Sequence, residues 1–523
     1  MAQKVVEQIQ AYGRSIAGPA GSEKVLWRPS SRFVEAIPGI LSWVVVLAPI
    51  WLTIIDAQAG IMFVMAVTMY FALRVSSFGV RSLFNRGRIL GASRRDWLAA
   101  LEQLETHEWR QYRITLMIRA YREGNVKILR QTLDSIYASN WPREDGLLRN
   151  VEVVFATEED DPITPPLVEQ LEHEFAGRLA VRQIPHPNTP RHLPGPSSAM
   201  HHAGRVLYEQ ARAEGFPPHY WLVADFDCDT LFHPQYLPAL AYHYATDDRR
   251  HRHAYQPVVL FTTDYWKAPL HSRLSAVGTS VLTLGWNRKP EIAFTGAAAS
   301  LALLRSVNFW PTNSHSQDSG IELRLRLRYG ADFRVVGLPV PLSVYPVMIT
   351  GPQENRAERV RSYLQSFRTL FRQSARWREG PLDEFVESVA HRHGGLTLRK
   401  LLNGLERDTL TLLPAVGPVA VQLTILTQGG VGYGYVSLIL GSILSAVLTI
   451  VSLLGVVAFG QVLVTREFIG AETSPWRKAV ELPVFWLVFS IYVPVVTAVA
   501  GLKTSSAYVL GRRPRGHYLP TPK

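Results

Sequence analysis

Apolar and polar positions along this chain follow two patterns. On the coarse scale, whole stretches carry no charge. Ala36 to Ile55 has none, Asp56 interrupts, and Ala57 to Leu73 is charge-free again. Thr409 to Thr465 holds no Asp, Glu, Lys or Arg, and Leu482 to Leu502 repeats the pattern. About 20 apolar residues suffice to cross a bilayer. Residues 36–73 therefore read as a transmembrane hairpin and 409–502 as a carboxy-terminal transmembrane region. The first apolar run begins late and a second follows almost at once, so a cleaved signal peptide is not expected.

The finer pattern lies between these regions, from about 110 to 350. Tyr112–Ala120 reads as a strand, Val126–Ser139 as a helix, Asn150–Thr157 as a strand and Pro165–Ala176 as a helix. Leu179–Ile184 (strand), Ser197–Glu214 (helix) and Tyr220–Asp225 (strand) continue the series. Strands alternating with helices at this spacing predict βαβ units in a largely parallel sheet. Ligands of such sheets bind at the carboxyl ends of the strands. Residues 354–407 are polar and basic, with Val360, Tyr363, Leu364, Phe367, Leu370 and Phe371 at helical spacing. That pattern suits amphipathic helices at a membrane surface. It equally suits a helix packed on the soluble domain.

Charge sharpens this picture. The 523 residues carry a net charge of +12. Lys24, Arg28 and Arg32 precede the first apolar run, in a polar amino-terminal segment, 1–35. Arg74, Arg81, Arg86 and Arg88 follow the second, opening a basic connector that runs to about 108. Flanking positive charge marks the cytoplasmic side, which puts the central domain at the cytoplasmic face of a multi-pass protein of the inner or plasma membrane. The lipid bilayer and nucleotide diphosphates account for the basic excess, and no nucleic-acid partner is expected. Three spans after the domain would leave Lys503, Arg512, Arg513 and Arg515 of the basic tail, 503–523, outside. Leu410 to Thr427, with Pro414 and Pro418, is therefore expected to be interfacial or re-entrant, with four or five spans left open.

Candidate chemistry centres on Tyr220-Trp-Leu-Val-Ala-Asp225-Phe-Asp227-Cys-Asp229-Thr230. An apolar stretch of strand length ends in three acids spaced two apart. Along an extended strand such residues share a face, and their charges repel unless water or a cation separates them. Mg²⁺ or Mn²⁺ takes oxygen ligands and keeps positions open for phosphate. An isolated Asp-x-Asp more often marks a solvated acidic turn. Cys228, the one cysteine, cannot form an intramolecular disulfide and reads as a small filler.

Taken together, these residues resemble inverting glycosyltransferase family 2. Ile118-Arg-Ala-Tyr-Arg-Glu123-Gly resembles the first-strand motif Pro-x-Tyr-Asn-Glu, with Arg119 for proline and Arg122 for asparagine. Asn140-Trp-Pro142 is similar to the turn after the first helix. Gly195-Pro-Ser-Ser-Ala-Met-His resembles Gly-Lys-x-x-Ala-Leu-Asn, with Pro196 for lysine. Asp227-Cys-Asp229-Thr230 is similar to Asp-x-Asp-Thr, with Pro234 and Leu237 following. Phe294-Thr295-Gly296 resembles an acceptor-side Thr-Gly loop, and Ser316-Gln317-Asp318 falls where membrane synthases carry Thr-Glu-Asp. Gln373-Ser-Ala-Arg376-Trp377 matches the Gln-x-x-Arg-Trp of cellulose-synthase-like membrane enzymes.

The resemblance implies an α/β fold: a nucleotide-sugar-binding glycosyltransferase A-type domain, mostly parallel sheet with flanking helices, plus transmembrane α-helices. It implies Asp318 as the catalytic base and Mg²⁺ or Mn²⁺ on Asp227 and Asp229. Glu123, Glu158, Asp227 and Arg376 would contact the donor nucleotide. Gln373, Arg376, Trp377, Thr295 and Gly296 would gate donor and acceptor. The partners implied are a nucleotide-sugar donor of the UDP-sugar class and a glycan or lipid acceptor. A polysaccharide product is the first expectation; transfer of one sugar to a lipid or polyprenyl phosphate is the alternative. Pro196 and Gln317 keep open a catalytically inactive membrane scaffold, against which the Asp-x-Asp and Asp318 stand. Asp318 also suits the first turn of a helix over Gly320–Arg328, and Asp225 the end of its strand. His186, His192, His201 and His202 show no metal-ligand spacing and read as surface or lip histidines.

Overall fold

A computed structural model describes residues 32–187, 195–290, 295–312, 317–347, 356–390, 394–406, 413–427, 454–463 and 499–507, with isolated positions among the rest. The helices relevant below are α1 (Arg32–Ile55), α2 (Ala57–Arg94), α3 (Trp97–Glu102), α4 (Val126–Tyr137), α5 (Thr164–Phe175), α6 (Pro196–Ala213) and α7 (Tyr236–Ala245). After them come α8 (Leu270–Trp286), α9 (Leu301–Ser306), α10 (Gln317–Tyr329), α11 (Arg356–Ala390), α12 (Gly394–Leu405) and α13 (Leu413–Thr427).

The strands are β1 (Arg113–Arg119), a small hairpin β2 (Arg143–Glu144) and β3 (Leu147–Leu148), β4 (Val151–Glu158), β5 (Ala180–His186) and β6 (Trp221–Asp227). Then follow β7 (Thr230–Leu231), β8 (His253–Leu260), β9 (Ala298–Ser300) and β10 (Arg334–Val344). Eight of them form one sheet in the order β5-β4-β1-β6-β9-β8-β10-β7. The first four are mutually parallel, β9 runs antiparallel between β6 and β8, and β8 and β10 are parallel again. The expected α/β sheet is thus present, each expected element to β6 lying within two residues of its observed ends. The sequence pattern did not resolve the antiparallel β9 or the β8–β10 half.

From β1 the chain winds outward through β4 to β5, then crosses back to place β6 on the other side of β1. The ends of β1 and β6 therefore form the switch point at which such sheets open a ligand crevice. The period of two along each strand assigns its two faces. Ile114, Leu116, Ile118, Leu222, Ala224 and Phe226 pack with α4, α5 and α7. Met117, Trp221 and Val223 pack with α6, α9 and α10 on the opposite face. Arg119, Asp225 and Asp227 have the parity of this second set.

Two helices, Ala36–Ile55 and Ala57–Arg94, are long and apolar enough to cross a membrane. Asp56 caps the second by accepting a 3.0 Å hydrogen bond from the Gln58 amide. The basic residues from Arg74 onward end the apolar run without ending the helix. α2 continues to Arg94, where its buried Asn85 donates from Nδ2 to the Leu284 carbonyl of α8 at 2.8 Å. Gly285 permits this approach, since a Cβ there would lie 3.0 Å from the Phe78 carbonyl oxygen. Ile89 of α2 shares a core with Val258 and Leu260 of β8 and with Ala458, Phe459, Val462 and Leu463. Part of the long charge-free stretch is therefore packed on the sheet domain. α13 is 15 residues long, contains Pro418, and packs against α1 and α2. Residues 1–31, 428–453, 469–495 and 511–523 lie outside the described residues.

His201, on the buried side of α6, shares a 2.9 Å hydrogen bond between Nδ1 and the Trp310 carbonyl. Burial pushes its pKa down to about 4 despite that carbonyl, and burial likewise takes His243, His251 and His271 to about 4. A histidine depressed in the folded state leaves the unfolded chain binding more protons, so stability is complete above the ordinary value of 6.5 and falls as pH drops toward 4. For His201 the loss reaches at most about 3 kcal/mol. The melting temperature should fall between those pH values in wild type and fall less steeply in His201→Gln, as read by differential scanning fluorimetry.

Candidate active site

The strand register brings Arg119 opposite Asp227 and Met117 opposite Asp225 on neighbouring strands. Arg119 is buried, and each of its three nitrogens meets a different carboxylate. Nε lies 3.1 Å from Asp225 Oδ1, Nη2 3.2 Å from Asp227 Oδ1, and Nη1 3.4 Å from Asp318 Oδ1. Asp318 stands in the first turn of α10. It reaches this point because Ile321 and Leu325 of the same helix pack on the face of the sheet that carries Arg119. Ser197 Oγ donates to the Pro311 carbonyl, and Gly320 packs on the Pro311 ring, so α6 and α10 are tied together beside the site.

Burial raises the Asp225 carboxyl well above the usual carboxylate range. The Arg119 guanidinium pulls in the opposite direction, while Asp318, which shares a hydrogen bond with Asp225, and Asp227 push it further up. Asp225 is thus a working member of the cluster as well as a strand residue.

The acidic run departs from a single straight strand. β6 ends at Asp227, and Cys228 and Asp229 form a turn. Asp227 keeps 48% of its side chain exposed, whereas Asp229 is buried at 3%. The Thr295–Gly296 loop clamps this corner. Thr295 Oγ1 accepts the Asp227 amide at 2.8 Å and lies 3.1 Å from Thr230 Oγ1. Gly296 has φ +91°, and a Cβ there would meet Leu342 at 2.6 Å and Pro257 at 2.7 Å. Only glycine suits both constraints.

The donor set fits a metal that arrives with a ligand. Asp227 and Asp229 are hard oxygen donors, and Mg²⁺ commonly uses one or two carboxylates plus substrate phosphates. Among the described residues, no three His, Cys, Asp or Glu side chains converge on one metal position. Three carboxylates around a single guanidinium leave the pocket acidic even when Asp225 holds a proton.

The rim residues are tied to the chain itself. Glu123 is buried; its carboxylate accepts the Asn125 amide at 3.0 Å and the Cys228 thiol at 3.5 Å. Glu158 accepts the Gly195 amide at 2.9 Å and shares a 2.7 Å contact with His186 Nδ1, while His186 Nε2 meets His192 Nδ1 at 3.0 Å. His186 and His201 are buried, contrary to the surface expectation, because β5 and α6 carry them inward. Asp161 fastens the end of β1: it accepts the Arg122 amide at 2.6 Å and the Ile163 and Thr164 amides at 2.9 and 3.2 Å. Arg122 has φ +52° there. Asparagine tolerates that left-handed conformation more readily.

Gln373 lies part-buried on α11. Arg376 and Trp377 occupy the same helix; their side chains, with Phe294 and Ser316, lie outside the described residues. In the sequence, Arg119 shows only as a departure from a motif, and Asp161 carries no signal of its role. The available signal was an arginine closing an otherwise apolar strand.

Comparison with known proteins adds the following. No curated protein matches the chain. Among solved structures, the mannosyltransferase PcManGT from Pyrobaculum calidifontis, in complex with GDP-Man and Mn²⁺, is 16% identical, covering 82% of this chain and 98% of that one at a TM-score of 0.40. Glucosyl-3-phosphoglycerate synthase from Mycobacterium tuberculosis, with Mn²⁺, UDP and glucosyl-3-phosphoglycerate, is 16% identical over 50% of this chain and 80% of that one, at a TM-score of 0.28. A family model described as "Glycosyl transferase family group 2" matches residues 222–499, from the second residue of β6 past Asp318 and α11. That match spans more than half of the chain, and the chain belongs to glycosyl transferase family group 2.

Proposed function

We propose that this glycosyltransferase is membrane-embedded and inverting, and moves a sugar from a nucleotide sugar, of the UDP-sugar class, to a polysaccharide acceptor at the cytoplasmic membrane face. The observation that carries the reading is the meeting of Asp318 and Asp227 across one guanidinium, at 3.4 and 3.2 Å. Inverting transfer is a single displacement, and its two needs converge there: charge neutralisation for the departing diphosphate, and a base for the incoming hydroxyl.

Asp227 and Asp229 would hold Mg²⁺ or Mn²⁺, which supplies the positive charge that a leaving diphosphate requires. The remaining roles belong to the chain. Asp318 accepts the proton of the acceptor hydroxyl. Thr295 and Gly296 fix the strand end that carries Asp227. Glu123 and Glu158 shape the nucleotide side of the crevice, and Gln373, Arg376 and Trp377 close over donor and acceptor from α11.

The two apolar helices support a transmembrane hairpin at 36–73, and a catalytic domain at 110–350 and a membrane region at 409–502 complete the proposed layout. Val360 and Leu364 of α11 and Leu398 and Leu402 of α12 are exposed, on helices that pack beside α1. Apolar residues so placed suit an interfacial layer over 354–407.

Two measurements test the chemistry. Chelation by EDTA, and separately Asp229→Ala in a chain that still inserts, should abolish nucleotide release from membranes supplied with single nucleotide sugars. Full activity of Asp229→Ala would leave the acidic corner as a solvated turn. Asp318→Asn should retain donor binding while transfer falls about a hundredfold or more; equal rates at saturating donor would remove Asp318 from the mechanism. Mass spectrometry of the wild-type product separates a glycan polymer from a singly glycosylated lipid or polyprenyl phosphate.

A further inference from the structure

The guanidinium at the centre of the site comes from Arg119, where the motif of the resembled family has proline. Its Nε, Nη2 and Nη1 lie 3.1, 3.2 and 3.4 Å from separate carboxylates, of Asp225, Asp227 and Asp318. Two of these acids end β6 and the third opens α10, so one side chain joins the sheet to the helix that covers it. We propose that Arg119 is the positioning residue for both halves of the transfer: it orients Asp318, and it competes with the donor's divalent cation for Asp227. This rests on the metal-and-base reading above.

The geometry requires arginine. Its planar fork presents donors in fixed directions, whereas lysine offers one compact ammonium on a flexible stem. A lysine at this position has one ammonium nitrogen, where arginine brings three nitrogens within 3.1–3.4 Å of three carboxylates. The α10 N-terminus favours a negative Asp318 but does not by itself aim the carboxylate. Arg119 does so by a direct contact. At the other end, Asp227 is half exposed and open to solvent, yet its Oδ1 is already engaged. A divalent cation bound to that carboxylate comes close to the permanent charge of Arg119 and is repelled by it. Arg119 therefore lowers affinity for free metal while preparing the base.

These two effects separate in experiment. The full chain, wild type or Arg119→Met or Arg119→Lys, is titrated with Mn²⁺ in the presence of GDP and, separately, UDP, with free Mn²⁺ followed by electron paramagnetic resonance. Turnover is measured by nucleotide release with the sugar nucleotide that wild type uses. Arg119→Met should bind Mn²⁺ about tenfold more tightly, while kcat falls about a hundredfold or more at little-changed donor KM. Arg119→Lys keeps the charge and loses the fork, so Mn²⁺ affinity should stay near wild type and kcat should still fall. A merely structural arginine would weaken both properties together. Mn²⁺ binding unchanged or weakened in Arg119→Met would overturn the competition, and wild-type kcat in either variant would overturn the positioning of Asp318. If Arg119→Met does not accumulate folded, Arg119→Met with Asp225→Asn removes the buried guanidinium together with the carboxyl beside its Nε and carries the same comparison. Asp229→Ala provides the control: Mn²⁺ binding that survives it removes the metal site and this proposal with it. Loss of binding there beside an indifferent Arg119→Met removes the proposal alone.

Discussion

The site depends on one buried guanidinium at the switch point of the sheet. Without it, Asp225 and Asp227 would face Asp318 with the buried countercharge they share removed. With it, three acids from two distant segments share a single cation. Removing one partner from a buried arrangement of this kind destabilises by about 3–5 kcal/mol, because the charge left behind keeps its desolvation penalty. The rise in the Asp225 pKa expresses the same constraint, since a proton on that carboxyl relieves part of the crowding.

The rest of the domain serves to hold the four groups in register. β1 and β6 bring Arg119 and Asp227 side by side through parallel pairing. The apolar residues on the same face recruit α6 and α10, and α10 delivers Asp318. Around the rim, Asp161, Glu158 and Thr295 each spend their hydrogen bonds on backbone amides of the loops that end the strands. Loops anchored in this way present functional groups from a rigid frame.

The apolar end of the protein is coupled to the same frame. α2 runs unbroken from its apolar portion to Arg94, and Asn85 and Ile89 join it to α8 and β8. α11 meets α8 from another side, where Tyr363 packs edge-on against His271 with ring centroids 4.6 Å apart. The catalytic sheet is thus held by a helix that shares its length with the apolar hairpin, and a rigid rod of this kind fixes the height of the site relative to that hairpin.

Periodicity in the sequence determined the βαβ series, because alternating burial and helical spacing are local properties that the tertiary structure reused without change. It also determined the two long apolar helices and set Asp227 and Asp229 at a strand end, while the motif resemblance added Asp318. Local pattern could not determine what lay opposite them. Arg119 stands 108 residues before Asp227 in the chain, and only the strand register and the choice of face bring the two together. The antiparallel β9 was equally hidden: three small residues, Ala298 to Ser300, carry no strand signal of their own and are extended only because β6 and β8 pair with them. The charge-free residues 454–463 read as bilayer-spanning by composition, yet Phe459, Val462 and Leu463 are buried against α2 and the catalytic domain. Hydrophobicity specifies that a segment leaves water; the partner that receives it is decided by the fold.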